Sequence, residues 1–315
     1  MKLKKHWFCM LLAMVITCGQ APSSSIADDG DADAKFVVQL DLRAFRKTEI
    51  GSTLLNSIEA MAAQEIGSEG DDVLAKVEEA VGFDPLEEIQ SIVIRGNDFE
   101  SPEDNLDIMI QLGETSGNLE GLALAAPGYE SEEHGKYTIH RMSEGDMEAF
   151  ATIHTDSKGD KCVVATTKRS RLMDLLESMG GRSTGKRLAS GVFAHVELLK
   201  FPKEVYEQDQ AANVVRMIKR LYVDVGQKGD ELQVDLVLAA QKEKQAEQIK
   251  QLADGAKAFV GLFKDEIGDD EDAQMVLSLL ERLTVERDEK QVKVHFAVPE
   301  SMVKDLLHEE MDLSF

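Results

Sequence analysis

Three segments of this chain return later in the same order, and that repetition constrains the fold more than any single motif. Phe36-Val37-Val38-Gln39-Leu40-Asp41-Leu42-Arg43-Ala44-Phe45 aligns with the segment from Val192 to Phe201, with Leu and Phe repeated in place and an acid answering an acid. The segment Leu106 to Leu112 aligns with Leu232 to Leu238, and both alternate in the way one half-buried strand face requires. Cys162 to Glu177 aligns with Lys293 to His308, so that Ser170, Asp174, Leu175 and Leu176 meet Ser301, Asp305, Leu306 and Leu307. Their spacings differ only as insertions would make them differ. Ordered matches of this kind predict two copies of one supersecondary plan.

The Gly-rich, basic stretch Met179-Gly180-Gly181-Arg182-Ser183-Thr184-Gly185-Lys186 supplies a joint between the copies. The expected domains are residues 36–183 and 187–311. Strands are predicted near 36–42, 90–95, 106–112, 137–142, 148–154 and 161–166 in the first, one of them surplus to the shared plan. In the second they fall near 192–199, 219–226, 231–240, 284–288 and 291–298. Helical periodicity marks Leu172, Leu175, Leu176 and Met179; Ile249, Leu252, Ala256, Phe259 and Phe263; and Val276, Leu279, Leu280 and Leu283 as buried stripes. Short turns such as Asp156-Ser157-Lys158-Gly159 and Gln227-Lys228-Gly229-Asp230 join neighbouring strands, which makes the sheets mainly antiparallel. The fold class is α+β: two similar tandem domains, each a sheet with helices packed on one face.

One parity of each strand is apolar, as in Ile108 and Ile110 or Val292, Val294 and Phe296. The other carries Asp41, Arg95, Asp107, Gln111, Asp235, Lys293 and His295 among apolar residues, and three fates stand open for it: a solvated face, a binding face, or the junction of the two halves.

The N-terminus reads as an address. Met1 to Lys5 is basic, Trp7 to Thr17 is apolar, and the next ten residues are small and polar, ending Ser25-Ile26-Ala27, as in a secretory signal cut after Ala27. The apolar run is too short to span a bilayer, which takes roughly 20 residues as a helix, and no later stretch of that length is free of charge. Val15-Ile16-Thr17-Cys18 resembles a lipobox, in which Cys18 becomes the lipidated first residue. Both processing routes lead out of the cytoplasm, to the periplasm or medium or to a lipid anchor at the envelope. Residues 28–35 then form an acidic tether.

Removing the leader removes Lys2, Lys4 and Lys5 and no acid, so the net charge of -24 for 315 residues becomes -27 for the remainder. Binding to nucleic acid relies on Lys and Arg neutralising phosphates, so this balance excludes it as a general partner. With Cys9 and Cys18 in the leader, Cys162 is the one cysteine left and sits in an apolar run, which points to packing rather than to a disulfide.

No Gly-x-Ser-x-Gly elbow, phosphate loop, His-Glu-x-x-His or Cys-x-x-Cys pair occurs, and no catalytic residue or cofactor site is assigned. His195 and Glu197 lie two apart on one side of a strand, a spacing that serves a metal, yet spacing identifies no third ligand. His140, His154 and His295 fall on other strands. The acidic runs Asp28 to Asp33 and Gly268 to Asp272 read as solvated acid, the second also capping a helix that starts near Ala273.

Val81-Gly82-Phe83-Asp84-Pro85-Leu86-Glu87-Glu88-Ile89, followed by Ile92-Val93-Ile94, resembles a group of uncharacterised exported bacterial proteins of planctomycete and myxobacterial type. The resemblance implies a duplicated α+β body over most of residues 36–310 and no assigned activity. Physically, Asp84-Pro85 starts a helix and aims the chain into the next strand. The expected function is that of an exported, non-catalytic binding or envelope-associated protein whose partner is unassigned, an envelope protein being the candidate. The alternative is an extracytoplasmic hydrolase using carboxylates or a His-Glu pair.

Overall fold

A computed structural model of the protein describes residues 34–56, 82, 84–99, 101, 105–113, 119, 128–144, 147–155, 159–179, 188–207, 209–262 and 271–304. The leader, Cys18, the acidic tether up to Asp33 and the Gly-rich joint lie outside the described residues. The chain divides into two compact units between Arg187 and Leu188. Each is α+β with an antiparallel sheet.

The first unit contains β1 (Phe36–Asp41), α1 (Leu42–Arg46), α2 (Pro85–Glu88), β2 (Ile89–Gly96), β3 (Leu106–Leu112), β4 (Glu130–His134), β5 (Tyr137–Glu144), β6 (Met147–Thr155), β7 (Lys161–Thr166) and α3 (Arg169–Met179). Its strands lie in the order β1-β2-β3-β7-β6-β5-β4. The second unit contains β8 (Val192–Leu198), α4 (Lys203–Glu207), α5 (Asp209–Val215), β9 (Ile218–Lys228), β10 (Glu231–Ala240), α6 (Glu243–Leu262), α7 (Glu271–Arg282), β11 (Thr284–Asp288) and β12 (Gln291–Pro299). Its order is β8-β9-β10-β12-β11. In both sheets the first three strands form a meander, the third pairs with the last, and the last pairs back with the one before it.

Local chemistry sets several of these boundaries. Asp41 ends β1 and caps α1, its Oδ1 accepting from the Ala44 N–H at 2.9 Å. The Asp84 carbonyl accepts from the N–H groups of Glu87 and Glu88, so α2 starts at Pro85 and runs straight into β2. Gly229, at φ +60°, closes the two-residue turn between Lys228 and Glu231, a conformation that costs any residue with a Cβ.

Two expectations are corrected by the structure. In the second unit α6 covers the apolar parity, where Ile218, Ala240, Ala246, Ile249 and Val292 form one cluster, but in the first unit α3 lies on the mixed parity. There Leu172, Leu175 and Leu176 pack against Val93, Met109, Cys162 and Val164, residues that alternate with Ser91, Asp107 and Gln111 on the same strands. The mixed parity tolerates this because its polar members bond one another: Ser91 Oγ donates to Gln111, whose amide donates to Asp160 at 3.1 Å. The aliphatic row Leu40, Ile92, Ile110, Val163 and Ile153, in register across five strands, is half-buried on the opposite face.

The second correction concerns α6. It turns Ala246 and Ile249 inward and leaves Leu252 and Phe259 exposed at 55% and 60%, so the stripe expected through Leu252, Ala256 and Phe259 is not the buried one. The line through Ala246, Ile249 and Ala253 also advances with helical period and faces the sheet. The helix expected near Ala273 is present as α7, which begins at Glu271 and so has Glu271 and Asp272 in its first turn. The strand β4 was not expected; all five of its residues are exposed.

Leu172 is fully buried in the first cluster. Truncating it in Leu172→Ala should lower stability by about 3 kcal/mol, from lost transfer energy and the cavity left behind. Chemical denaturation checks this, and a change below about 1 kcal/mol would mean that α3 is not seated as described.

Candidate functional site

Among the described residues, the largest set of mutually engaged ionisable side chains lies on the face of the second sheet away from α6. Register places His195 of β8 opposite Asp224 of β9, Asp224 opposite Asp235 of β10, and Asp235 opposite His295 of β12. Directly opposite residues in antiparallel strands point to the same side, so these four form one row across four strands. The next row carries Glu197, Tyr222, Val237 and Lys293 in the same way.

His195 Nδ1 is 2.6 Å from Asp224 Oδ1, and its Nε2 is 3.9 Å from Glu197 Oε2. Arg220 Nε stands 3.0 Å from Glu197 Oε1, so one carboxylate is shared between an imidazole and a guanidinium. The Tyr222 ring lies 6.0 Å from that of His195. His295 Nδ1 is 3.8 Å from Asp235 Oδ1 at the more open end. The inner groups are largely dry: the side chains of His195, Glu197 and Asp224 are 13%, 9% and 17% exposed.

Electrostatics follows from that placement. Burial opposes a charge on His195, but the hydrogen bond to Asp224, then Glu197 and the charges of both acids, outweigh it and raise its pKa to about 9. Burial, followed by the charges of Asp224, Glu197 and Asp235, pushes the Tyr222 hydroxyl up to about 12 against Arg220. His295 moves the other way: burial lowers it, with Glu286 opposing. At neutral pH the inner site therefore holds an imidazolium between the side chains of Asp224 and Glu197, with Arg220 and Asp235 alongside.

The structure brings His195 and Glu197 together as their spacing implied, and adds Asp224, Arg220 and Tyr222, which strand parity alone did not single out. The turn at Gly229 sets Asp224 against Asp235 by counting back along the hairpin, so that pair was recoverable. The partnership with His195 was not, because β8 and β9 are joined by a long connection and their register shifts between Val192 and Ala194. His295 joins this row. Among the other histidines, His140 takes part in a 3.0 Å hydrogen bond with the Tyr129 hydroxyl and His154 stacks on Tyr137, both on the first sheet. Cys162 is buried opposite His154.

Metal ligation at His195 needs a ring nitrogen without a proton, whereas both nitrogens here face carboxylates and the ring is held as a cation. Among the described residues no group of three or more His, Cys, Asp or Glu side chains is placed to hold a metal ion. Among them, too, no helix is long and apolar enough to cross a membrane.

No protein-family model and no curated protein sequence matches the chain. Among solved structures the chain is similar to TP0453 in three crystal forms. Form IV has a TM-score of 0.43 at 8% identity and covers 87% of this chain and 92% of that one. Form III has 0.41 at 9% identity, covering 88% and 94%, and form I has 0.41 at 7%, covering 91% and 98%.

Proposed function

We propose that this is an exported, non-catalytic protein that binds a partner or is built into the cell envelope. The observation that carries the reading is His195 held as a cation between Asp224 and Glu197. A general base must accept a proton at working pH, and a ring already protonated up to about pH 9 does not. Co-purification of the exported chain from envelope fractions tests this, with a partner retained at fixed stoichiometry as the expected result.

A second reading, a hydrolase, is favoured by one feature: Asp224 and Asp235 stand directly opposite each other, as paired carboxylates of an acid-base enzyme would. Turnover in a broad screen of ester, glycoside and peptide substrates that disappears in Asp235→Asn would establish it and overturn the first.

We further propose that the two units descend from one duplicated α+β plan, as in the exported bacterial group that the Asp84-Pro85 segment resembles. The shared strand order supports this, since it pairs β1, β2, β3, β7 and β6 with β8, β9, β10, β12 and β11, and the three sequence matches fall on corresponding strands. The joint is expected to be the first site of proteolysis. Brief trypsin treatment should cut at Arg182, Lys186 or Arg187 and yield two resistant fragments; initial cleavage inside either sheet would count against it. The exported address rests on residues 1–27, and N-terminal mass spectrometry separates a chain starting at Asp28 from one starting at lipidated Cys18.

A further inference from the structure

The first sheet gathers basic residues at one corner. Five basic residues come from its strand ends and the start of α3: Lys35, Arg95, Lys168, Arg169 and Arg171. Lys35 Nζ pairs with Asp98 at 3.4 Å, and Arg169 Nε with Glu132 at 2.6 Å. Lys168 donates to Asn105 Oδ1, an uncharged acceptor. Arg171 grips Asp107 with two nitrogens, Nε to Oδ1 at 3.2 Å and to Oδ2 at 3.0 Å, and Nη2 to Oδ2 at 2.7 Å.

Arg95 is the exception. It stands opposite Asp107 in the β2-β3 register, on the face that α3 covers, and is half-buried. Asp107 is the carboxylate whose charge reaches it, and both oxygens of that carboxylate are already taken by Arg171. Among the described residues the Arg95 side chain makes no hydrogen bond and no ion pair of its own. Burial accordingly lowers its pKa, with Asp107 opposing. A guanidinium withdrawn from water without a hydrogen-bonded counter-charge is costly, and its planar fork matches the two oxygens of a carboxylate or phosphate.

We propose that Arg95 is the recognition group of a binding site for a compact oxyanion, with the Asp107–Arg171 pair fixing the floor of the site beside it. The inference does not rest on the reading of the His195 cluster, so either can fail alone.

The test uses the full exported chain at pH 7 and low ionic strength, titrated separately with inorganic phosphate and with acetate. The Nε–Hε resonance of each arginine is followed by NMR. The expected result is a saturable shift of the Arg95 resonance with one or both anions, while Arg287, paired with Glu247 at 3.0 Å, does not respond. The tighter anion names the ligand class. Arg95→Gln should abolish the saturable response at neighbouring residues, and Arg95→Lys should weaken binding by about tenfold through loss of the fork. An Arg95 resonance that does not move, or that drifts linearly in step with Arg287, would overturn the proposal, and it is read on the unmodified chain whether or not the variants fold.

Discussion

Asp224→Ala should cost about 3–5 kcal/mol of unfolding free energy at pH 7, measured in urea, because it strips the 2.6 Å partner from a buried imidazolium. Glu197, which also faces Arg220, would be left as the carboxyl group beside His195. The sign of the pH dependence follows from the same cluster. With its folded pKa raised to about 9, above the ordinary value of 6.5, His195 contributes fully below pH 6.5 and loses that contribution as pH rises through about 9. Native stability should therefore fall across that window, and the fall should be nearly absent in Asp224→Ala. A native protein equally stable at pH 6.5 and 9.5 would contradict the charged state assigned to this ring.

The second large effect is expected at the other sheet. Arg171→Ala removes all three hydrogen bonds to Asp107, whose side chain is 7% exposed, and should cost about 3 kcal/mol at pH 7 by leaving a carboxylate buried beside Arg95 alone. Burial, with Arg95 opposing, already pushes Asp107 up to about 6. A carboxyl raised in the folded state burdens the fold once ionised, and that burden fades as pH falls through 6 toward its ordinary 3.8. The penalty for Arg171→Ala should consequently be smaller at pH 5 than at pH 7. Equal penalties at both would show that removing Arg171 leaves the ionisation of Asp107 unchanged.

What could be read without coordinates was the part governed by short-range rules. Alternation placed β1, β3, β10 and β12, since each has a face that must differ from the other, and Asp84-Pro85 announced the start of α2. The choice of covered face could not be read the same way. In the first unit the parity with Asp107 is the buried one because Arg171, 64 residues away, arrives on α3 to answer it, and no local pattern encodes that meeting. The exposure of Leu252 and Phe259 was hidden for a related reason: two overlapping stripes on α6 both have helical period, and tertiary packing selected the one with Ala246 and Ile249. At the candidate site, His195 and Glu197 were visible as neighbours, but the charge they hold depends on Asp224 and Arg220 from the next strand.

Among the described residues each sheet has a short charged strand at one end, β4 in the first and β11 in the second, and these bear on how the protein behaves in a crowded compartment. Each is five residues long, and they read Glu-Ser-Glu-Glu-His and Thr-Val-Glu-Arg-Asp. An unpaired strand edge is a template for further chains, and short, charged edges are how natural sheets refuse that invitation. A second molecule laying its own β4 alongside would bring glutamates against glutamates. Long antiparallel sheets of this kind therefore carry their own brake on fibre growth at the ends named here, and exchanging Glu132 and Glu133 for valine would release it.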